Sequence, residues 1–274
     1  MAIKIILLDL DGTLLTSDKQ ISSANRAALE QAVEMGIHIV PSTGRFFGGI
    51  PQVVRDLPFV RYAITVNGAQ IYDAAEDRVL HRAEILPADA EGIYDCLDAL
   101  PVIYDCFMDG WGYMDRHNYA RIDEFISDPR VNRMVKELRK PVEDFRAFMR
   151  EQNRPVQKIQ MFFQDLPLRE RVWSQLIGQF PHMSVTSSIP NNVEINEKHA
   201  NKGEALAVLC RHLGVDISET MAFGDGSNDR SMIEAAGIGV AMANADPSLK
   251  EIADYVTDTN DSDGVAKAIA RFCF

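Results

Sequence analysis

Apolar and polar positions follow one pattern at both ends of the chain and another in the middle. Residues 2–8 are almost uniformly apolar and branched, with Lys4 the only interruption. Such a run predicts a strand buried on both faces, as in a parallel sheet. Ser22 and Ser23 then offer an N-cap, 24–35 reads as a helix, and Gly36 is placed to stop it. A second buried strand is expected over 37–40, a helix over 46–57 ended by Pro58, and a third strand over 62–66. This β-α-β-α-β alternation implies a parallel sheet with right-handed crossovers.

Antiparallel signals follow. Residues 71–72 and 78–83 flank Ala-Ala-Glu-Asp as a hairpin, and Pro87 opens a helix running to 100. Segments 102–108 and 113–115 flank Asp109-Gly110, a strong hairpin turn. Two or three helices are expected over 120–151, a strand over 156–163, a helix over 168–180 and a strand over 183–187. From Lys202 the first pattern returns, with helices over 203–213, 231–236, 247–253 and 264–272 and strands over 220–223, 238–242 and 255–256. The fold class expected is α/β, a doubly wound parallel sheet with an inserted α+β unit. The core takes residues 1–83 and 189–274, and the insertion takes 84–188.

Composition narrows the function classes. Of 274 residues, 46% are apolar and 25% charged, an ordinary globular mix. There are 28 basic and 40 acidic residues, a net charge of −12, which argues against a general nucleic-acid or anionic-membrane surface. Cys96, Cys106, Cys210 and Cys273 form no C-x-x-C pair and read as buried free thiols. The apolar run at the N-terminus stops at Asp9, too short for a signal sequence, and no stretch reaches the ~20 apolar residues of a membrane span. A cytoplasmic protein is expected, as a monomer or weak homo-oligomer.

Four segments carry candidate chemistry. Asp9-Leu10-Asp11-Gly12-Thr13 follows the first strand, where open α/β sheets place their sites. Asp9 and Asp11 leave one face of an extended chain, and their mutual repulsion calls for a hard cation such as Mg²⁺. Pro41-Ser42-Thr43-Gly44-Arg45 follows the second strand and offers a hydroxyl and N–H groups for a phosphate. Asn201-Lys202-Gly203 puts a lysine at a helix start, against the helix dipole, which makes sense if it faces an anion. Gly224-Asp225-Gly226-Ser227-Asn228-Asp229 fails as a dinucleotide fingerprint, because its third glycine position holds Asp229, but suits a metal. An EF-hand reading of 258–264 fails on ligand spacing.

In this order the four segments resemble the haloacid dehalogenase (HAD) superfamily, and within it the Cof-type phosphatases (IIB, C2-type cap). Asn67-Gly68-Ala69, Met242-Ala243-Asn244-Ala245, Tyr255-Val256-Thr257 and Asp263-Gly264-Val265 share the resemblance. It implies that Asp9 is a nucleophile that becomes aspartyl-phosphorylated and that Asp11 is the general acid and then base, its pKa raised when substrate is bound. It implies Mg²⁺ held by Asp9, the Asp11 main chain and Asp225, with Asp229 orienting Lys202 or a metal-bound water. Leu10, Thr43, Gly44, Lys202 and Asn228 would contact phosphate, Thr43 being the hydroxyl that matches. The insertion would act as a cap, with Arg45, Asp109 and Trp111 as substrate contacts and Tyr113 and Arg116 as further candidates. The expected activity is hydrolysis of small soluble phosphomonoesters, sugar phosphates or phosphorylated cofactors. A phosphomutase, or a non-catalytic phosphate-ligand sensor, are the alternatives.

Overall fold

The computed structural model describes residues 2–274, which divide into two compact units, 2–82 with His199–Phe274, and Ala83–Lys198. The first unit is built on β1 (Ile5–Leu8) and β2 (His38–Pro41). A second sheet there contains β3 (Tyr62–Thr65), β4 (Gln70–Asp73) and β5 (Arg78–Arg82). The second unit carries β6 (Ile103–Met108), β7 (Trp111–Asp115), β8 (Arg139–Val142), β9 (Lys158–Phe162), β10 (Met183–Thr186) and β11 (Asn192–Glu197). The chain then returns to the first unit for β12 (Thr220–Gly224), β13 (Ile238–Ala241) and β14 (Tyr255–Val256).

In the first unit the strands run parallel in the order β14-β13-β12-β1-β2. Every residue of β1 is buried, as its unbroken apolar run requires. Helix Ser23–Glu34 is capped by Ser22, whose hydroxyl accepts from the Asn25 N–H, and it buries Ala28, Leu29 and Ala32. It packs on the last helix, Gly264–Cys273, and helix Lys202–Leu213 packs on Arg230–Ala235. The register decides where the chemistry lies. Leu8 pairs with both Phe223 and Pro41, so three neighbouring strands end side by side. The ladder continues one step, with the Asp9 N–H on the Phe223 carbonyl (3.0 Å) and the Ser42 N–H on that of Leu8 (2.7 Å).

The second unit is a mixed sheet ordered β10-β11-β9-β6-β7-β8. Asp109 and Gly110 take positive φ (51° and 77°) and turn β6 into β7, as the Asp-Gly pair predicts. One face packs Tyr104, Met161, Val193 and Ile195 with Phe163 and the helix residues Tyr94, Phe145 and Leu176. Phe162 lies in a smaller cluster with Ile103 and Met114. Buried ion pairs join Arg139 to Asp105 (2.9 Å) and Lys158 to Glu194 (3.1 Å).

Several expectations are corrected. No continuous helix fills 46–57. A 3-10 turn (Phe47–Gly49) and a short helix (Gln52–Arg55) stand on either side of Pro51, whose missing N–H and ring break a helix. β3 meets β2 through one bridge, Ser42 to Ile64, and otherwise pairs antiparallel with β4. β8 and β11 were not expected. β11 has only two inward apolar residues, Val193 and Ile195, and β8 is an edge strand containing Pro141. Because β11 lies between β10 and β9, the second unit runs to Lys198 rather than to 188. Cys106 and Cys210 are buried free thiols, whereas Cys96 and Cys273 are only half-buried. No helix among the described residues is long and apolar enough to cross a membrane.

Leu29 is fully buried in the first unit's core. Leu29→Ala leaves a cavity there and is expected to cost about 2–5 kcal/mol of that unit's stability. A lowered urea midpoint for unfolding of the first unit is the measurement.

Candidate active site

Asp9 leaves β1 where the strand is already buried and is itself 7% exposed. Its Oδ1 accepts a hydrogen bond from Lys202 Nζ at 2.7 Å. The same ammonium donates to Asp229 Oδ1 at 2.5 Å. Lys202 has no exposed surface, so its charge is met by two carboxylates and not by water. Asn201 starts its helix, the Asn201 side chain accepting from the Glu204 N–H. The lysine at a helix start thus faces anions, and the two observed are the protein's own.

Asp225 follows β12, and its Oδ1 accepts from the Thr13 hydroxyl at 2.8 Å. Asp229 Oδ2 accepts from the N–H groups of Asp225 and Gly226, both at 2.9 Å. Gly12 has φ +92°, and a Cβ there would come within 2.3 Å of Asp225 Oδ2. Only glycine gives both the left-handed turn and that approach. Asn244 Nδ2 holds the Gly12 carbonyl at 2.8 Å, while its Oδ1 accepts from the Asn260 N–H. Thr13 and Asn244 were not singled out as site residues. Thr13 lies inside a quoted motif, but nothing in a threonine's identity names a partner more than 200 positions away.

Three carboxylates, those of Asp9, Asp225 and Asp229, bring oxygens within 4.8 Å of one another. With one ammonium they leave a formal excess of two negative charges. Burial pushes the Asp9 carboxyl well above the usual range; Lys202 pulls it down, and Asp229 and Asp225 push it further up. Asp225 is pushed up to about 6, first by burial and then by Asp229. Burial opposes the Lys202 charge, but Asp229 and Asp9 outweigh it and raise its pKa. An all-oxygen donor set short of positive charge fits a hard divalent cation. Both Asp229 oxygens are already engaged, which leaves Asp9 and Asp225 as the better placed donors.

Asp11 is tied elsewhere. Its Oδ2 accepts from Arg45 Nε at 2.9 Å, and its Oδ1 from Lys19 Nζ at 2.7 Å. Burial alone would lift its pKa, but Arg45 and Lys19 outweigh burial and lower it. Lys19 was not anticipated. The Thr43 hydroxyl accepts from the Arg45 N–H at 3.3 Å, whereas the Ser42 hydroxyl is fully buried without a partner. Gly44 lies against Asn67, and Asn67 Oδ1 accepts from Asn228 Nδ2 at 3.2 Å. The Leu10 side chain is buried and its carbonyl accepts from the Leu15 N–H.

The remaining candidates belong to the second unit. Asp109 is ion-paired with Arg154, and Trp111 is 39% exposed with Lys140 Nζ 4.0 Å from its ring centre. Tyr113 stacks on Phe148, and Arg116 pairs with Glu143.

Comparison with known proteins places this geometry. Residues 6–269 match the family model of haloacid dehalogenase-like hydrolases. The 5-amino-6-(5-phospho-D-ribitylamino)uracil phosphatase YcsE of Bacillus subtilis is 33% identical over 98% of this chain and 96% of its own. A haloacid dehalogenase-like hydrolase from B. subtilis superposes with a TM-score of 0.84, at 32% identity, over 98% of this chain and 99% of that one. The HAD subclass IIB sugar phosphatase BT4131 superposes with a TM-score of 0.81, at 27% identity, over 98% of each chain.

At pH 7 the folded protein without divalent cation holds Asp225 ionised at a cost. The folded pKa is above the unfolded one, so stability is greatest below the unfolded value near 4 and is lost as pH rises through about 6. Asp225→Asn keeps an acceptor for Thr13 and removes the charge. In EDTA at pH 7 it is expected to be more stable than the parent by about 1–3 kcal/mol, with a smaller gain on acidification. Thermal melts between pH 4 and 7.5 measure both.

Proposed function

The chain belongs to the haloacid dehalogenase-like hydrolases and is a phosphatase of that superfamily, and we propose that it is a Mg²⁺-dependent one, hydrolysing small phosphomonoesters through an aspartyl-phosphate on Asp9. The observation that carries this reading is the buried Asp9–Lys202–Asp229 chain with Asp225 beside it, at the ends of adjacent parallel strands. An ionised carboxylate approaching a phosphate dianion at ~4 Å is repelled by about 8 kcal/mol at an effective dielectric of ~20. Lys202 supplies one opposing charge. Bound Mg²⁺, held by Asp9, the Asp11 main chain and Asp225, would supply the rest and polarise the phosphoryl oxygens.

The chemistry divides into two displacements. Asp9 attacks phosphorus, the bond to the alcohol oxygen breaks, and Asp11 gives that oxygen a proton. A water then attacks the phosphoryl group, Asp11 takes its proton, and inorganic phosphate leaves with the Asp9 carboxylate restored. Thr43, Gly44, Lys202, Asn228 and the Leu10 main chain would hold the phosphoryl oxygens through both steps, and Arg45 would meet the ester. Relatives whose names specify a phosphoribityl-aminouracil and a sugar phosphate point to polar, phosphorylated metabolites as the substrate class.

A panel of sugar phosphates, phosphorylated cofactors and 4-nitrophenyl phosphate, with and without EDTA, tests the reading. Turnover is expected to need the cation, and Asp9→Asn is expected to lose on the order of 10³-fold or more. Full activity in either arm would refute it. Asp11→Asn is expected to slow alkyl phosphates by roughly 10²–10⁴-fold. Its first step on 4-nitrophenyl phosphate should suffer far less, because that leaving group needs no proton. Burst-phase measurements separate that step from hydrolysis of the intermediate.

A further inference from the structure

Val66, Asn67 and Gly68 have φ of 51°, 58° and 102°, three consecutive residues in left-handed space. For a β-branched valine that conformation is strained, and such strain persists only where the surroundings over-determine it. Here they do. The Val66 N–H donates to the Arg45 carbonyl (2.9 Å), the Asn67 N–H to that of Thr43 (3.0 Å), and the Thr43 N–H to that of Ile64 (2.9 Å). The turn is stitched along the whole Thr43–Arg45 segment.

It also touches the other two segments read as phosphate contacts. The Asn67 side chain is 5% exposed, sits 2.9 Å from where a Gly44 Cβ would be, and accepts from Asn228 Nδ2 at 3.2 Å. Gly68 presses on the backbone of Asn201, the cap of the Lys202 helix, so closely that a Cβ would lie 2.3 Å from the Asn201 carbonyl oxygen. One strained turn therefore spans segments centred on residues 43, 201 and 228.

We propose that Asn67 is a positioning residue, fixing Asn228 relative to Thr43 and Gly44 and so setting the affinity for the phosphoryl group. This rests on reading Thr43, Gly44 and Asn228 as phosphate contacts. The strain fits the role, since a relaxed turn would leave the amide out of reach of Asn228.

The test is a double-mutant cycle on the full chain, read by KM, kcat and competitive inhibition by inorganic phosphate. Asn67→Gly tolerates the left-handed backbone and removes only the amide, so the turn survives. It is expected to raise both KM and the phosphate inhibition constant about tenfold, with kcat within about threefold of the parent. Asn228→Ala is expected to raise both constants at least as much and to lower kcat as well, and Asn67→Gly is expected to add less than about twofold to either constant in that background, because the two act as one unit. If Asn228→Ala weakens phosphate binding and Asn67→Gly does not, or if the two effects multiply in full, the positioning role is wrong and the phosphate-contact reading stands. If Asn228→Ala leaves phosphate binding unchanged, the contact reading itself fails, and this inference with it.

Discussion

A lysine with no exposed surface keeps its charge only if anions replace the water it has lost. Desolvating an ammonium costs several kcal/mol even after relaxation, so Lys202 requires Asp9 and Asp229 within hydrogen-bond reach. That requirement ties together three distant stretches of chain: the end of β1, the start of the helix after residue 201, and the loop after β12. The sheet makes the meeting inexpensive. β1 lies between β12 and β2, and the three strands end in register, so Asp9, Asp225 and Thr43 emerge at one edge. The insertion of a second unit of more than a hundred residues between Arg82 and His199 leaves this register untouched, because both halves of the first unit contribute strands to one sheet.

The same ion pairs leave the centre short of positive charge. One ammonium faces three carboxylates, and burial first, with that imbalance added, raises the pKa values of Asp9 and Asp225 into a preference for protons. Such a cluster is compatible with a divalent cation in place of those protons, since both answer one electrostatic need. Asp229 spends its oxygens on Lys202 and on two backbone N–H groups, which fixes the loop that presents Asp225. Its place is structural as much as electrostatic, and it explains why two acids four residues apart have different duties.

Much of this was legible in the sequence because strand ends and acidic motifs coincide. The uniform burial of β1 followed from its unbroken apolar run, and the sites fell directly after such runs. What was not legible had two physical causes. Some elements are held by tertiary contacts that no local pattern encodes: β11 has two inward apolar residues and is a strand because β9 and β10 flank it. Others depend on partners far away in sequence. Thr13 on Asp225, Lys19 on Asp11 and Asn67 on Asn228 are ordinary polar residues until the fold brings their partners to them. The helix expected over 46–57 erred differently. Pro51 interrupts that span by removing a donor and clashing with the preceding turn.

Asp11 brings these threads together. The proposed general acid is held at rest in its charged form by Arg45 and Lys19. The hold is weak, because the Asp11 side chain is 37% exposed and water screens the pair; such bridges are worth about 0–1 kcal/mol. Arg45 is anchored independently, through Nη1 on the Gly49 carbonyl, so it does not depend on Asp11 for its place. If Arg45 meets substrate as proposed, an anionic ester would compete for the same guanidinium with more charge than one carboxylate carries. Exchange of partners would then release Asp11 from one of the two cations that depress its pKa, leaving Lys19, while burial, the opposing influence, remains. On the proposed reading, the lowered value in the resting protein and the raised value that acid catalysis needs would be two states of one carboxylate, exchanged as substrate takes Arg45 from it.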